Sequence, residues 1–361
     1  MIKVLITEDS PVVRGFLEYV LNSDPDIQVV GTAKDGMEAV QMVAQNRPDV
    51  ITMDIHMPKM DGFEATRKIM ETNPVPIVIC SASWDPTEVD KTFKTMEAGA
   101  VAALEKPRGF GHPDSMESVK ELLQTIKVMS EVKVVRRWAR FRKKLETPSV
   151  SIPQVIHPKV AEGKIKIIAV GTSTGGPLVL QMILTGLPKN YPVPIVVVQH
   201  IAKGFLSGLA EWLEKTTGFS VRIACQGEHI LPGKVYLAPD GFQMGVDKNC
   251  KIVLSEDAPE NHLKPSVSYF FRSVAKVFGK SAVGVLLTGM GKDGAQELKF
   301  IRDQGGITIV QDKESAIVYG MPGEAVRLDA ATYILSPEQI AEKLKSLVEQ
   351  KRMVKEKAIK F

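Results

Sequence analysis

The sequence predicts an α/β protein with two doubly wound domains, each built on a parallel sheet. Short apolar runs rich in Val and Ile alternate with stretches of helical periodicity in both halves of the 361-residue chain. Polar side chains that can carry chemistry directly follow several of these runs. Between the halves lies a basic stretch interrupted by prolines, which predicts a linker. Strands that alternate with helices in this way indicate sheets covered by helices on both faces.

The composition is that of an ordinary globular protein without a membrane span. Hydrophobic residues make up 44% of the chain and charged residues 24%, and the net charge of +4 is too small to indicate nucleic-acid binding. Cys80, Cys225 and Cys250 lack metal-ligand spacing. No apolar run approaches the roughly 20 residues that cross a bilayer, and the chain begins with a strand rather than a signal peptide. We therefore expect a protein of the reducing cytoplasm.

The first 129 residues alternate regularly between predicted strands and predicted helices. The strands are short and apolar, and the helices carry apolar residues at three- and four-residue spacing. This alternation predicts one doubly wound domain over residues 1–129. The predicted strands are 3–7, 27–31, 50–53, 76–80 and 100–104, and the predicted helices are 12–21, 36–45, 63–70, 87–98 and 116–129.

Acidic residues gather where the strands of this first domain end. Glu8 and Asp9 follow the first strand, and Asp54 follows the third. Three close carboxylates repel one another, and a hard cation such as Mg²⁺ relieves that repulsion. Ser81 and Lys106 add a hydroxyl and a cation after the fourth and fifth strands. Carboxylates solvated at loop ends are the alternative, but the whole set favours a phosphoryl-accepting site in which a carboxylate is the nucleophile.

Residues 1–129 resemble a response-regulator receiver domain, most specifically in the run from Asp54 to Gly62, Asp-Ile-His-Met-Pro-Lys-Met-Asp-Gly. The resemblance implies a flavodoxin-like fold and phosphorylation of Asp54. The family's other functional positions are the metal-binding acids, one carbonyl ligand, the switch hydroxyl and the phosphate-binding lysine. They fall on Glu8, Asp9 and Asp54 for Mg²⁺, the His56 carbonyl, Ser81 and Lys106.

One position departs from the receiver family. The family usually carries an aromatic residue three positions before the lysine, and this chain has Ala102-Ala103 before Lys106. We therefore expect the aromatic half of the family's conformational switch to be missing.

Residues 130–163 form the predicted linker. Its first half is strongly basic and contains Trp138 and Phe141, and its second half contains three prolines. The charges have three possible partners: nucleic acid, an anionic membrane surface or an acidic protein. The favoured interpretation is a solvated helix that packs its two aromatic residues against a domain. The basic residues are Lys133, Arg136, Arg137, Arg140, Arg142, Lys143 and Lys144.

The second domain is predicted over residues 164–348, followed by an exposed basic tail at 349–361. It repeats the strand and helix alternation and adds a β-hairpin with a turn at 247–249. The predicted strands are 165–170, 194–199, 235–238, 242–246, 252–254, 283–288 and 307–310, and the predicted helices are 178–187, 207–214, 267–278 and 293–302.

Ser173 lies on a sharp turn between the first strand and first helix of this domain, among glycines. Taken alone, the turn fits a nucleophile and a phosphate-binding loop equally well. His200 and Asp293 follow two further strands, and the carboxyl ends of parallel strands meet in one crevice. A serine, a histidine and an aspartate gathered there favour a nucleophile, a general base and an orienting carboxylate.

Residues 164–348 resemble the catalytic domain of the chemotaxis protein-glutamate methylesterases, the CheB family. The matching runs are 171–177 (Gly-Thr-Ser-Thr-Gly-Gly-Pro), 198–200 (Val-Gln-His), 231–239, 265–267, 287–294 (Leu-Thr-Gly-Met-Gly-Lys-Asp-Gly), 311–312 and 318–322. The resemblance implies a Rossmann-like serine hydrolase domain that needs no cofactor for hydrolysis. The family's catalytic triad falls on Ser173, His200 and Asp293, and its oxyanion-binding amide falls on Met290. The Thr174 amide, at the start of the next helix, is a second candidate for that role.

The resemblance also implies the substrate and the regulation. The reaction is hydrolysis of glutamyl methyl esters, with deamidation of glutamines, on methyl-accepting chemotaxis receptors at their cytoplasmic side. A chemotaxis histidine kinase supplies the phosphoryl group, and the unphosphorylated receiver restrains the esterase. Gln243 stands where the family is expected to carry histidine, which predicts an altered substrate rim.

Two other functions remain open from the sequence. The second domain of a response regulator can be a binding module, for example one that holds nucleic acid through the basic linker. A helix-turn-helix or similar reader would support that function, and none is recognisable. The other alternative is a serine hydrolase that acts on small esters.

Overall fold

The computed structural model describes residues 1–81, 86–107, 115–132, 134 and 165–358. They form two separate compact units, one on each side of the predicted linker. The basic and aromatic residues of that linker lie outside the described residues. No helix in the described part of the chain is long and apolar enough to span a membrane.

The first unit is a five-stranded parallel sheet with the strand order β2-β1-β3-β4-β5, which confirms the flavodoxin-like prediction. Side chains cap the first three helices: Ser10, Asp35 and Asp61 each accept a hydrogen bond from a first-turn N–H. The strands are Ile2–Thr7 (β1), Ile27–Ala33 (β2), Val50–Met53 (β3), Ile77–Ser81 (β4) and Ala102–Glu105 (β5). The helices are Pro11–Asn22 (α1), Gly36–Gln45 (α2), Gly62–Thr72 (α3), Pro86–Ala98 (α4) and Ser115–Ser130 (α5).

The second unit contains a parallel sheet and a separate antiparallel hairpin, as predicted, and the sheet has seven strands. The strands are Ile167–Thr172 (β6), Ile195–Gln199 (β7), Ser220–Ile223 (β8), Lys234–Leu237 (β9), Gln243–Val246 (β10), Ile252–Ser255 (β11), Ala282–Leu286 (β12), Ile307–Gln311 (β13) and Tyr333–Leu335 (β14). The helices are Gly176–Gly186 (α6), Leu206–Thr217 (α7), Val267–Phe278 (α8), Ala295–Asp303 (α9), Gly320–Arg327 (α10) and Pro337–Ala358 (α11).

The order of the large sheet is β14-β13-β12-β6-β7-β9-β8. Within this unit the chain enters the middle of the sheet at β6 and adds β7, β8 and β9 on one side. It then crosses to the other side of β6, where it adds β12, β13 and β14. This reversal is the topological switch point of a doubly wound sheet, where the strand ends leave a crevice for a ligand.

The sequence pattern predicts no element at β8, α10, β14 or α11. The strands β8 and β14 have only four and three residues, too few to establish a period. The helix α10 carries Gly320, Pro322 and Gly323 near its start, which weaken a helical signal. The helix α11 continues to Ala358, past the predicted start of the tail, because no glycine or proline interrupts it after Pro337.

The helix α8 packs its apolar face against the middle of the large sheet. Val267, Phe270, Phe271 and Val274 are fully buried in the main hydrophobic cluster. Two glycines let the start of this helix approach closely: a methyl group built on Gly171 or Gly294 would lie 2.3 Å from Val267 Cγ1. This close packing sets the first turn of α8 beside β6 and β12, at the switch point.

The substitution Gly294→Ala is expected to destabilise the second unit by about 3 kcal/mol, because left-handed strain and a steric clash add together. Gly227→Ala is the matched control: Gly227 also has a left-handed φ of +73°, but open space surrounds its would-be methyl group. It should cost only about 1 kcal/mol. Urea unfolding of both variants tests this, and equal losses would contradict the role of close packing at Val267.

Candidate active site and acidic cluster

Neighbouring strand ends bring Ser173 and His200 together. Ser173 follows β6 and His200 follows β7, and these strands pair in register up to Thr172 and Gln199. The His200 N–H donates to the Thr172 carbonyl at 3.0 Å, and the Ser173 N–H donates to the Thr288 carbonyl at 3.0 Å. The serine is therefore fixed between the ends of its two neighbouring strands.

Asp293 lies next to the side chain of His200. The Nε2 atom of His200 is 3.1 Å from Asp293 Oδ2, at ion-pair distance, although its N–H is not aligned for a hydrogen bond. The side chains are 11% and 3% exposed, so water is largely excluded from the pair. With Nε2 turned towards the carboxylate, Nδ1 is the ring atom left to serve as a base.

The Asp293 carboxylate rests on the N-terminus of helix α8. It accepts hydrogen bonds from the Val267 N–H at 2.7 Å and the Ser268 N–H at 3.2 Å. The Ser266 hydroxyl and the Asn261 amide donate to Oδ1 at 2.9 and 3.1 Å. Backbone donors and the positive end of the helix dipole stabilise a buried negative charge.

These contacts decide the ionisation of Asp293. Burial by itself raises the pKa of the carboxyl, but His200, Ser268 and the Val267 N–H together lower that pKa well below its usual range. The carboxylate therefore stays charged and can hold the ring of His200 and stabilise its protonated form.

Gln243 does not lie on the substrate rim, and that expectation was wrong. The side chain is 0% exposed. Its Oε1 accepts from the Ser266 N–H at 2.9 Å, and its Nε2 donates to the Ala258 and Leu263 carbonyls at 3.3 and 3.2 Å. Gln243 thus anchors the two segments that supply Ser266 and Asn261 to Asp293. Sequence pattern missed this role because no local signal marks a buried glutamine at the start of β10.

Two peptide groups near Ser173 have their carbonyls held by hydrogen bonds. The Ser173 carbonyl accepts from the Gly176 N–H at 2.9 Å, and the Gly289 carbonyl accepts from the Gly320 and Met321 N–H groups at 3.1 and 2.9 Å. In a planar trans peptide the next N–H points opposite to the carbonyl. The N–H groups of Thr174 and Met290 therefore point away from these anchors, and neither donates to an acceptor within the described residues.

Gly289 must be glycine for the loop after β12 to reach Ser173. A methyl group at this position would lie 2.4 Å from Met321 Sδ and 2.7 Å from Ser173 Cβ. Thr288 also holds the loop after β12 beside the Ser173 turn. Its hydroxyl donates to the Thr174 carbonyl at 2.9 Å and accepts from the Val318 N–H. Thr288 and Gly289 were recognised only as parts of a run of matching residues, without these contacts.

The structure brings together the acidic residues of the first unit as predicted. Oxygen atoms of Glu8, Asp9 and Asp54 lie within 4.8 Å of one another. Lys106 Nζ lies 2.7 Å from Glu8 and 3.0 Å from Asp54. Burial raises the pKa of both Glu8 and Asp54 above the usual range, although Lys106 opposes that shift. Three crowded carboxylates, with the pKa of Glu8 and of Asp54 raised, fit the chemistry of a hard divalent cation.

The remaining receiver positions lie around this cluster. Ser81 is buried at the end of β4, and its carbonyl accepts from the Lys106 N–H at 2.8 Å. His56 is exposed just after Asp54. Ala103 lies on β5 opposite Ile79 and is half-buried, so a small methyl occupies the position where an aromatic residue was expected.

Comparison with protein families matches both units. Residues 168–344 match the CheB methylesterase family model, and residues 4–120 match the response regulator receiver domain model. The two ranges cover the two described units and leave the predicted linker unmatched.

Similar proteins match over nearly the whole chain. The protein-glutamate methylesterase/protein-glutamine glutaminase of Nitrosospira multiformis is 54% identical over 351 residues, which are 97% of this chain and 98% of that relative. A relative with the same name from Syntrophus aciditrophicus is 53% identical over 347 residues, covering 96% of this chain and 98% of its own. The crystal structure of the Thermotoga maritima CheB methylesterase catalytic domain is 40% identical with a TM-score of 0.50, and covers 52% of this chain and 100% of that one.

The low pKa of Asp293 predicts a pH-dependent contribution to stability. A carboxyl with a folded-state pKa below its usual value near 3.8 stabilises the fold fully above that pH, and the stabilisation declines as the pH falls further. The loss of unfolding free energy in Asp293→Asn should therefore be about 1 kcal/mol smaller at pH 3 than at pH 7. The control is Glu256→Gln, which alters an exposed carboxylate in the segment between β11 and α8. Its effect on the unfolding free energy, measured by urea titration, should be the same at pH 3 and pH 7. A pH-independent difference for Asp293→Asn would contradict the stabilised carboxylate.

Proposed function

The chain belongs to the CheB family of protein-glutamate methylesterases/protein-glutamine glutaminases, and on that premise we propose that Ser173, His200 and Asp293 are its catalytic triad. Its function is hydrolysis of glutamyl methyl esters and deamidation of glutamines on methyl-accepting chemotaxis receptors, under the control of a phosphorylated receiver domain. The observation that carries the triad is the 3.1 Å approach of His200 to Asp293 beside the Ser173 strand end.

The proposed reaction starts at the serine hydroxyl. Ser173 Oγ attacks the ester carbonyl while His200 Nδ1 accepts the hydroxyl proton. His200 then returns a proton to the departing methoxide, which leaves as methanol, and water releases the glutamate by the reverse sequence. Asp293 stabilises the imidazolium in both steps. A glutamine substrate follows the same course and releases ammonia.

The Thr174 and Met290 amides are the proposed oxyanion hole. Both N–H groups belong to peptide groups whose carbonyls are anchored on the opposite side. Donors fixed before the reaction stabilise the developing oxyanion without reorganisation. This support from peptide geometry is independent of the family resemblance.

Asp54 is the proposed phosphoryl acceptor in the receiver domain. Its carboxylate attacks the phosphorus of the kinase's phosphohistidine, whose P–N bond breaks so that the histidine leaves, and Lys106 is placed to hold the transferred group because it already contacts Asp54. Glu8, Asp9 and Asp54, with the carbonyl of His56, would hold Mg²⁺. That ion would supply positive charge against the crowded carboxylates and the phosphate. Ser81 and Lys106 follow the state of Asp54 and transmit it to the loops around them.

The partners follow from these two activities. A chemotaxis histidine kinase is the proposed phosphoryl donor, and the cytoplasmic portion of the receptors is the proposed substrate. The protein then works in the cytoplasm beside the membrane, without insertion into it.

The triad is tested by three alanine variants in a methanol-release assay on methylated receptor membranes. Ser173→Ala and His200→Ala should each lose several orders of magnitude in turnover, because nucleophile and base act as one unit. Asp293→Ala should lose less, since a poorly held imidazole still accepts a proton. Phosphorylation of Asp54 should be unchanged in all three and serves as the folding control. Ser173→Ala activity within tenfold of the parent would sink the assignment.

The regulation is tested by comparing the whole chain with a fragment that begins near residue 163. The fragment is expected to be the most active form and the unphosphorylated whole chain the least active. With alanine at position 103, phosphorylation should relieve the inhibition only partly, so the phosphorylated chain should fall between them. Equal activity of the fragment and the unphosphorylated chain would refute inhibition by the receiver. Full recovery on phosphorylation would show that the aromatic residue is dispensable here.

A further inference from the structure

Gln199 links the nucleophile strand to the general-base strand through one buried amide. The side chain stands at the end of β7 and is 4% exposed. Its Nε2 donates to the Ser173 carbonyl at 2.8 Å and to the His200 carbonyl at 2.7 Å. Both donor hydrogens are therefore used, and both acceptors belong to residues of the proposed triad.

The bond to the Ser173 carbonyl fixes the direction of the Thr174 N–H. The carbonyl of Ser173 and the N–H of Thr174 share one planar trans peptide, so holding the first orients the second. Gly176 supplies the other bond to that carbonyl, but it lies in the same turn and moves with it. Gln199 is the anchor from a different strand, and it makes the orientation independent of the turn itself.

The oxygen atom of the Gln199 amide indicates that this glutamine has a functional role. Gln199 Oε1 is buried and has no hydrogen-bond partner among the described residues. An unpartnered buried acceptor destabilises a fold, so its retention needs an explanation. Exchanging the positions of Oε1 and Nε2 would set an oxygen against two carbonyl oxygens, which excludes the alternative orientation. Because Gly176 has no side chain, there is room for Oε1: a methyl group on Gly176 would lie 2.2 Å from that atom.

We propose that Gln199 is a positioning residue: it aims the oxyanion-binding N–H of Thr174 and couples that N–H to the strand end that carries His200. The inference rests on the proposed function, in which Ser173 is the nucleophile. Glutamine fits the task because its two amide hydrogens satisfy two carbonyls, which neither a carboxylate nor an apolar side chain can do.

The test compares an oxygen substrate with its sulfur analogue. The probes are a soluble peptide with a glutamyl γ-methyl ester and the same peptide with a γ-thionoester, given to the full chain. Sulfur is larger and a poorer hydrogen-bond acceptor, so a well-aimed oxyanion hole favours the ester. Gln199→Met should lower kcat for the ester by about ten- to a hundredfold, less than the loss of a whole oxyanion donor, with KM nearly unchanged. The ester-to-thionoester rate ratio should fall by about tenfold.

Gln243→Met is the matched control, because it also removes a buried, hydrogen-bonded glutamine, but on the Asp293 side, where Gln243 makes three hydrogen bonds. It should slow both substrates equally and leave the ratio at the parent value. The ratio does not depend on how much of each variant is folded. An unchanged kcat, or an unchanged ratio in Gln199→Met, would overturn the inference. A parent chain that does not hydrolyse the ester would instead overturn the proposed function and the inference with it.

Discussion

The buried charge of Asp293 on the first turn of helix α8 is the interaction on which the catalytic unit depends. A carboxylate that is only 3% exposed is tolerated because two backbone N–H groups, a hydroxyl and an amide donate to it. The helix start must therefore reach the switch point of the sheet, which requires glycine at positions 171 and 294. The packing of α8 and the ionisation of Asp293 are thus two consequences of the same close approach.

The two halves of the proposed active site are built differently. On the side of His200, the Asp293 side chain is held by other side chains. Gln243 anchors the segments that carry Ser266 and Asn261, and these two residues donate hydrogen bonds to Asp293. On the side of the proposed oxyanion hole, the proposed donors are backbone amides, so the plane of each peptide group must be held. The loop after β12 contributes to both sides, because Gly289 precedes the Met290 amide and Asp293 follows it.

The receiver uses buried carboxylates in the opposite electrostatic sense. Asp293 has a lowered pKa because donors surround a single charge, whereas Glu8 and Asp54 have raised pKa values because burial is not fully offset by Lys106. The carboxylates of the first unit are incompletely neutralised, which favours the binding of a cation. The Asp293 carboxylate already accepts several hydrogen bonds, which favours holding the neighbouring His200 ring in place. Aspartate is thus found in two opposite electrostatic environments in the two units.

The sequence by itself determined most of the strand and helix alternation, the parallel character of both sheets, the hairpin, and the places of Ser173, His200, Asp293 and the receiver acids at strand ends. Hydrophobic period and the convergence of strand ends are local or topological properties, so one chain reveals them. Only the tertiary structure decided which donors surround Asp293, that Gln243 is an anchor rather than a rim residue, and which peptide carbonyls are held by hydrogen bonds. Those features depend on contacts between segments distant in sequence, and a hydrogen bond between a buried amide and a remote carbonyl leaves no pattern in the residues around either partner.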